Sequence, residues 1–303
     1  MTTKIIIDGS NLLHRSHWVA KTRKLSPVYL FLASVKKYAK QYNCNMIYTA
    51  WDGRHDRYTV NFRRELIGTQ YKGTRDKEKN TEVFKNVEMS ANLCEYLGVI
   101  NLRPNILEAD DIISWLCQEK YTDDSITVIT TDQDMLQLVS NNVTIYNPIK
   151  DIEYTPENFE ELIGIPLEFF VQYKAVIGDK SDNIDGVPGA GPKRARKIVL
   201  EQGVSTQTQE HQDIINRNFK LMCLSYSLEH NRDECEFLEK QIADKLAKKK
   251  VEMSRFFTAV TKLNMNTIIK NKTEWSELFS KQNVISKLND MIGSMDISSG
   301  FDK

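Results

Sequence analysis

No apolar run in the 303-residue chain approaches the ~20 residues a membrane-spanning helix needs, which excludes a helical membrane protein. The opening MTTKIIIDGS runs straight into strand-forming residues without a signal-peptide pattern. A cytoplasmic protein is expected, in the host cell if phage-encoded. Cysteines are few and odd in number: Cys44, Cys94, Cys117, Cys223 and Cys235 have no close pairing. That argues against zinc or disulfide staples and for buried, idle thiols in a reducing compartment. Histidine is scarce as well, at five residues, and forms no cluster. Net charge is absent, with 41 basic and 41 acidic residues, so any charged partner must be met by a local patch. What remains is an ordinary globular composition, 41% hydrophobic and 27% charged, with enough length for one large core or two smaller ones.

The first 150 residues alternate between strand and helix patterns. Strands are expected at Lys4–Asp8, Met46–Trp51, Ile126–Thr131 and Val143–Tyr146. Helices are expected at Pro27–Gln41, Val83–Leu97, Glu108–Lys120 and Gln133–Val139. Such alternation predicts a mostly parallel central sheet flanked by helices, an α/β fold. From about residue 157 the pattern turns helical: Glu157–Ile163, Pro166–Ile177, Ala195–Glu201, Gln212–Leu228, Leu238–Val260 and Trp275–Leu288. The expected division is an N-terminal region over 1–155, a helical region over 156–292 and a flexible tail over 293–303.

Inside the balanced total lies a local excess of acid. Asp8, Asp52, Glu108, Asp110, Asp111, Asp132, Asp134, Asp179 and Asp182 fall where strands or helices would end at one cleft. Asp8 closes KIIID and is followed by a glycine suited to a tight turn, with Ser10 or Asn11 as caps. Asp52 repeats that arrangement after MIYTAWD. In ILEADDIISW, Glu108 and Asp111 are one helical turn apart, with Asp110 offset between them; first-turn acids also favour the helix dipole. Asp132 and Asp134 share a face if extended, and Asp179 and Asp182 share one if helical. So many carboxylates at one cleft are costly unless cations neutralise them. Oxygen ligands without imidazole favour magnesium or manganese, and two such ions could share a phosphate ester.

Two basic segments accompany the acids. Gly53–Asn80 carries eight Lys/Arg against four Asp/Glu, directly after Asp52, either as a solvated excursion or as a substrate-facing element. The segment IGDKSDNIDGVPGAGPKRARKIVLEQG places Lys193, Arg194, Arg196 and Lys197 beside a turn made by Pro188, Gly189, Gly191 and Pro192. Glycines let backbone amides approach a phosphate, and none of these groups reads a base, so a backbone-positioning element for duplex DNA is expected.

With IIIDGSN, AWDGRHDRYTVNFRREL, YKGTR, EADDI, TTDQDMLQL and GDKSDNIDGVPGAGPKRA in this order, the chain resembles the structure-specific 5′-nuclease family. That family includes flap endonucleases, bacteriophage 5′–3′ exonucleases and the nuclease domain of bacterial DNA polymerase I. The resemblance covers roughly residues 4–230 and is loose beyond them. With no polymerase region following, the expected form is the stand-alone phage type. The resemblance implies a PIN-like fold with a helical arch over 54–82 and a helix–hairpin DNA-binding motif over 178–200. It implies hydrolysis of DNA at a 5′ end or flap, with removal of RNA primers, by a magnesium-dependent enzyme acting on branched, 5′-ended or RNA-primed DNA.

By motif match, Asp8, Asp52, Glu108 and Asp110 would hold a first Mg2+ (or Mn2+). Asp110, Asp132, Asp134, Asp179 and Asp182 would hold or orient a second, with Asp111 in support. Lys72 and Arg75 would contact the scissile phosphate, so Lys72, Arg75, Asp110, Asp132 and Asp179 are the expected catalytic residues. Arg54, Arg63, Arg64 and Tyr71 would meet DNA at the arch; Tyr71 either stacks on a terminal base or packs beneath the arch. Gly189, Gly191, Lys193, Arg194, Arg196 and Lys197 would meet the duplex, with a K+ ion in the hairpin as in some relatives. A single-strand-binding or clamp partner and a monomeric state complete the expectation. The alternatives are a nonenzymatic DNA-structure-binding protein and a magnesium-dependent phosphatase.

Overall fold

The computed structural model describes residues 3–44, 46–53, 62–73 and 77–280, with the side chains of 69 and 77–82 left aside. Arg54 and Arg75, with residues 54–61 and 74–76 of the expected arch, and the tail over 293–303 therefore lie outside the described residues. The chain opens with β1 (Thr3–Asp8) and α1 (Gly9–Arg23), then α2 (Pro27–Tyr42), β2 (Met46–Ala50) and the short α3 (Phe62–Ile67). Next come α4 (Lys77–Tyr96), β3 (Ile100–Leu102), α5 (Ala109–Trp115), β4 (Ser125–Ile129), β5 (Val143–Asn147) and β6 (Ile152–Tyr154). After α6 (Pro156–Ile163) and α7 (Phe170–Ile177), two-residue strands β7 (Gly178–Asp179) and β8 (Ile184–Asp185) form a small hairpin. The helices α8 (Pro192–Lys197), α9 (Gln209–Met222), α10 (Leu224–His230), α11 (Arg232–Ala247), α12 (Met253–Lys262) and α13 (Asn266–Lys270) follow, and residues 272–280 are helical.

The sheet runs β3-β2-β1-β4-β5-β6, parallel except for β6, which is antiparallel to β5. The sheet is mostly parallel, as expected, and mixed only through β6. β1 is buried on both faces, as a central parallel strand must be. Its isoleucines alternate: Ile6 enters a core with Ile112, Val128 and Phe170, while Ile5 and Ile7 enter another with Phe31, Trp51 and Phe256. Helices thus cover both faces, and each core continues into the C-terminal helices.

Local signals explain the helix limits. Ser26 caps α2 by accepting from the Tyr29 amide, Pro27 takes the first position, and Asn43 closes the helix in a left-handed conformation. Four expectations change. The helix pattern over Leu238–Val260 divides into α11 and α12, and the one over Gln212–Leu228 divides at Cys223 between α9 and α10. GDKSDN is not a helical turn: Gly178 at φ +79° leads into the β7–β8 hairpin, with its Cα facing the Gly186 backbone too closely to admit a side chain. Gly9 does not make a turn either; it is the first residue of α1, where a Cβ would lie 2.9 Å from the Ala50 carbonyl and the Trp51 ring.

Candidate active site

β1 is where the chain order reverses: β2 lies on one side of it and β4 on the other. In open α/β sheets the crevice at such a point, beyond the carboxyl ends of the strands, is where ligands bind. Asp8 ends β1, Asp52 follows β2 and Asp132 follows β4. Hydrogen bonds stitch these ends together. Thr130 Oγ1 donates to Asp8 Oδ2 at 2.9 Å, the Asn11 amide donates to Asp8 Oδ1 at 2.9 Å, and Thr131 Oγ1 donates to Asn11 Oδ1 at 2.8 Å. The Asp52 amide donates to Ser10 Oγ, and its carboxylate accepts from the Ala109 amide at the start of α5. Asp8 itself is the N-cap of α1, the role expected of Ser10 or Asn11.

A cavity of about 350 Å³ opens there, lined by Asp8, His14, Asp52, Lys72, Glu108, Asp110 and Asp132 among others. Asp132 and Asp134 do not share the face of an extended segment. Gln133 is helical in backbone conformation, and Asp132 Oδ1 accepts from the Asp134 amide at 2.9 Å, so the pair straddles a turn. Asp179 and Asp182 sit in the β7–β8 hairpin, where Asp179 Oδ1 accepts from the Ser181 amide and hydroxyl. Neither Asp134, Asp179 nor Asp182 lines the cavity.

Among the described residues, three internal cations are distributed among the acids. Arg63 of α3 is 2% exposed; it bonds both oxygens of Asp111 and reaches Glu108 at 3.3 Å and Asp110 at 3.8 Å. Lys72 Nζ lies 2.7 Å from Glu108 Oε1 and 4.0 Å from Asp182 Oδ2. Lys174, near the end of α7, lies 3.0 Å from Asp134 Oδ1 and 2.8 Å from Asp179 Oδ2. Asp111 also accepts from the Glu108 amide at 3.0 Å, so it does cap α5 as well as bind Arg63.

Burial dominates the electrostatics. It pushes the Asp8 carboxyl up to about 7, aided by the charges of Asp132 and Asp52 and opposed by the Asn11 amide. Burial also raises Asp110, with Asp111 adding to the effect, and raises Asp132. Asp134 rises to about 6 through burial and the neighbouring Asp132. At Glu108 and Asp179 the balance reverses, although Asp134 stays raised beside Lys174. Burial acts against the charged forms of Glu108 and Asp179, yet Lys72 and Arg63 hold Glu108, and Lys174 and Ser181 hold Asp179, below the usual carboxylate range.

Among the described residues, no three Asp, Glu, His or Cys side chains are gathered tightly enough to grip a metal ion alone. Magnesium does not demand such a cage: it keeps several waters and takes one or two carboxylates plus substrate phosphates. A set of buried carboxyls that resist ionisation, all hard oxygen donors, fits that mode of binding.

Two residues expected at a DNA surface lie elsewhere. Arg63 is spent inside the protein on Asp111, and Tyr71, 3% exposed, donates its hydroxyl to Glu108 Oε2 at 2.7 Å. Of the two readings of Tyr71, the packed one is the observed one: desolvating a phenol is acceptable when a carboxylate accepts its hydrogen bond. Arg64 is exposed. In the 178–200 segment, Gly189 (φ +71°) and Gly191 are open to solvent, and Lys193, Arg194, Arg196 and Lys197 are exposed on α8. Arg196 is partly engaged, against Gly164 and the Ile163 carbonyl. The Lys248–Lys250 run lies at the opposite end of the sheet, beside Gly98 and Val99, which precede β3. Sequence reasoning overlooked Lys174 and Thr130; the signal for Lys174 was a lone cation in the apolar run FVQYKAVI, five residues before Asp179. Among the described residues, no helix is long and apolar enough to cross a membrane.

A family model described as "5'-3' exonuclease, N-terminal resolvase-like domain" matches residues 3–164. A 5′–3′ exonuclease of Mycoplasmopsis pulmonis is 31% identical over 64% of this chain, which spans 65% of that relative. The thermostable DNA polymerase I of Thermus thermophilus is 30% identical over 66% of the chain and 24% of its own length. Among solved structures, the bacteriophage T5 D15 protein co-crystallised with metal ions superposes with a TM-score of 0.68. The superposition covers 80% of this chain and 99% of the T5 chain at 23% identity, a likeness of fold.

Proposed function

The chain belongs to the 5′–3′ exonuclease family, and from that premise we propose that it is a metal-dependent nuclease cutting DNA at a 5′ end, flap or fork. The observation that carries this reading is the convergence of acids from β1, β2, α5 and the β4 loop on one cavity at the strand-order reversal, with Lys72 at its wall. A phosphate chain entering that cavity meets an ammonium and a set of groups suited to divalent cations.

Asp8, Asp52, Glu108 and Asp110 would hold one Mg2+, and Asp110, Asp132, Asp134, Asp179 and Asp182 a second, directly or through water, with Mn2+ able to substitute. Bound there, such ions would lower the pKa of an attacking water and offset charge on the departing oxygen. The protein's own contribution is positioning. Thr130 and the Asn11 amide fix the Asp8 carboxylate, while Arg63 and Asp111 fix the first turn of α5, which carries Asp110. Lys72, already within 2.7 Å of Glu108, would transfer its ammonium to the scissile phosphate and steady the charge that builds there. Arg75 joins it in the proposal.

Around this centre we assign Arg54 and Arg64 to a helical arch over 54–82. Gly189, Gly191, Lys193, Arg194, Arg196 and Lys197 would take the duplex backbone, with K+ in the hairpin. Arg63 and Tyr71 are left out of that surface, since both are buried. A PIN-like nuclease region over 1–155, a helical region over 156–292, RNA-primer removal, a monomeric state in the cytoplasm and a single-strand-binding or clamp partner belong to the same reading.

The test compares 5′-labelled flap, nicked duplex and RNA-primed DNA in magnesium, each with an EDTA control. Magnesium-dependent release near the junction or 5′ end is expected. Binding without cleavage of any substrate would favour a structure-binding protein. Release of phosphate from monoesters alone would favour a phosphatase.

A further inference from the structure

Lys174 is the one cation of the acid cluster that no motif pointed to. It stands near the C-terminal end of α7, and its side chain is 14% exposed. It joins two acids distant in sequence: Asp134 in the turn after β4, at 3.0 Å, and Asp179 in the β7–β8 hairpin, at 2.8 Å. Neither carboxylate lines the cavity that Asp8, Asp52, Glu108, Asp110 and Asp132 line. The acid set is therefore divided: one part opens on a cavity, and the other is closed around an ammonium.

We propose that Lys174 is a built-in counter-ion that competes with a divalent cation for Asp134 and Asp179, so that this chain binds its second metal weakly until a phosphate draws the lysine away. This rests on the metal-dependent reading above and concerns the order and strength of loading. A lysine ammonium is a compact charge on a flexible four-carbon stem with three donors, so it can satisfy two carboxylates and still be displaced. A cation entering between Asp134 and Asp179 has to expel a charge already at hydrogen-bond distance from both. The expelled ammonium needs a new anion, and a DNA phosphate at the same cleft supplies one. Without DNA, the lysine stays on the acids.

Lys174→Met removes the charge and keeps a side chain of similar length; Lys174→Arg keeps the charge. Binding of Mn2+ is measured without DNA, by isothermal calorimetry and by the loss of the free-ion electron-paramagnetic-resonance signal. For the parent chain, one site is expected to bind well ahead of a second. In Lys174→Met the second site should tighten by roughly tenfold or more, the lower range for a close charge pair, while Lys174→Arg stays like the parent. Adding uncleavable flap DNA should tighten the parent's second site and change Lys174→Met far less. Unchanged or weaker second-site binding in Lys174→Met, with first-site binding retained as the sign of a folded protein, would overturn the inference and leave the nuclease reading standing. Lys174→Gln serves as a second neutral variant: if both neutral variants lose all Mn2+ binding, Lys174 is a structural clamp and the inference fails. A parent chain that binds no Mn2+ even with DNA would overturn the metal-dependent reading, and this inference with it.

Discussion

Arg63 and Asp111 form a two-pronged pair inside the protein, Nη1 donating to Oδ2 at 2.9 Å and Nη2 to Oδ1 at 2.8 Å. The two side chains are 3% and 1% exposed. Because Arg63 also touches Glu108 and Asp110, this pair ties α3 to the first turn of α5. Removing one partner leaves a buried charge with nothing to balance it. Arg63→Met is therefore expected to cost about 3–5 kcal/mol in urea unfolding, and replacing Asp111 by leucine in the same chain should recover part of that. A loss below about 1 kcal/mol, the range of a surface pair, would mean that Arg63 is exposed and free to meet DNA.

Gly9 is fixed by space. A methyl group there would meet the Ala50 carbonyl and the Trp51 ring at 2.9 Å, and both belong to or adjoin strand β2, beside β1. Gly9→Ala should destabilise the protein by about 1–3 kcal/mol through overpacking, read as a lowered melting temperature. An unchanged melt would show that α1 can move away from the sheet without cost.

Much of the architecture was legible from residues with short-range causes. The β-branched run of KIIID, the Ser26–Pro27 start of α2 and the acids after β1, β2 and β4 announce themselves locally, and parallel topology then brings the acids to one edge. GDKSDN was misread because a spacing of three fits both a helical turn and a tight hairpin; the positive φ of Gly178 and Asn183 decides for the hairpin. Lys174 was only half legible: the lone cation five residues before Asp179 is visible in the sequence, but its other partner, Asp134, comes from another element and only the fold brings them together. Arg63 misled for a related reason. In a basic segment it looks like its neighbours, and nothing local says that its carboxylates wait on α5.

The elevated Asp8 carboxyl links stability to pH. It rises from 3.8 to about 7 in the folded protein, chiefly through burial. Between those values the folded chain holds a proton that the unfolded chain has released, so the metal-free protein should lose stability as pH rises from about 4 to about 7 and level off above. Magnesium favours the ionised form, so its stabilising effect should be greater at pH 8 than at pH 5. Melting temperatures with EDTA and with magnesium at the two pH values check this. Equal shifts at both would contradict it.

Lys193 and Arg194 stand exposed on α8 beside the open glycines. If each neutralises one phosphate, replacing both by alanine should flatten the slope of log affinity against log salt for duplex DNA by roughly 1–2. Arg196→Ala should change it less, since that guanidinium already leans on the Ile163 carbonyl. An unchanged slope in the double variant would remove α8 from the DNA surface.

The most direct measurement pairs binding with single-turnover cleavage of a 5′-flap substrate for Asp132→Asn at saturating magnesium. Asp132 lines the cavity and turns its carboxylate back on the Asp134 amide, at the junction between the open and closed parts of the acid set. Flap binding close to that of the parent, with cleavage slower by about 100-fold or more, is the predicted result, the mark of a group that acts on the transition state. Cleavage near the parent rate would contradict the assignment of this acidic crevice as the place where the phosphodiester is cut.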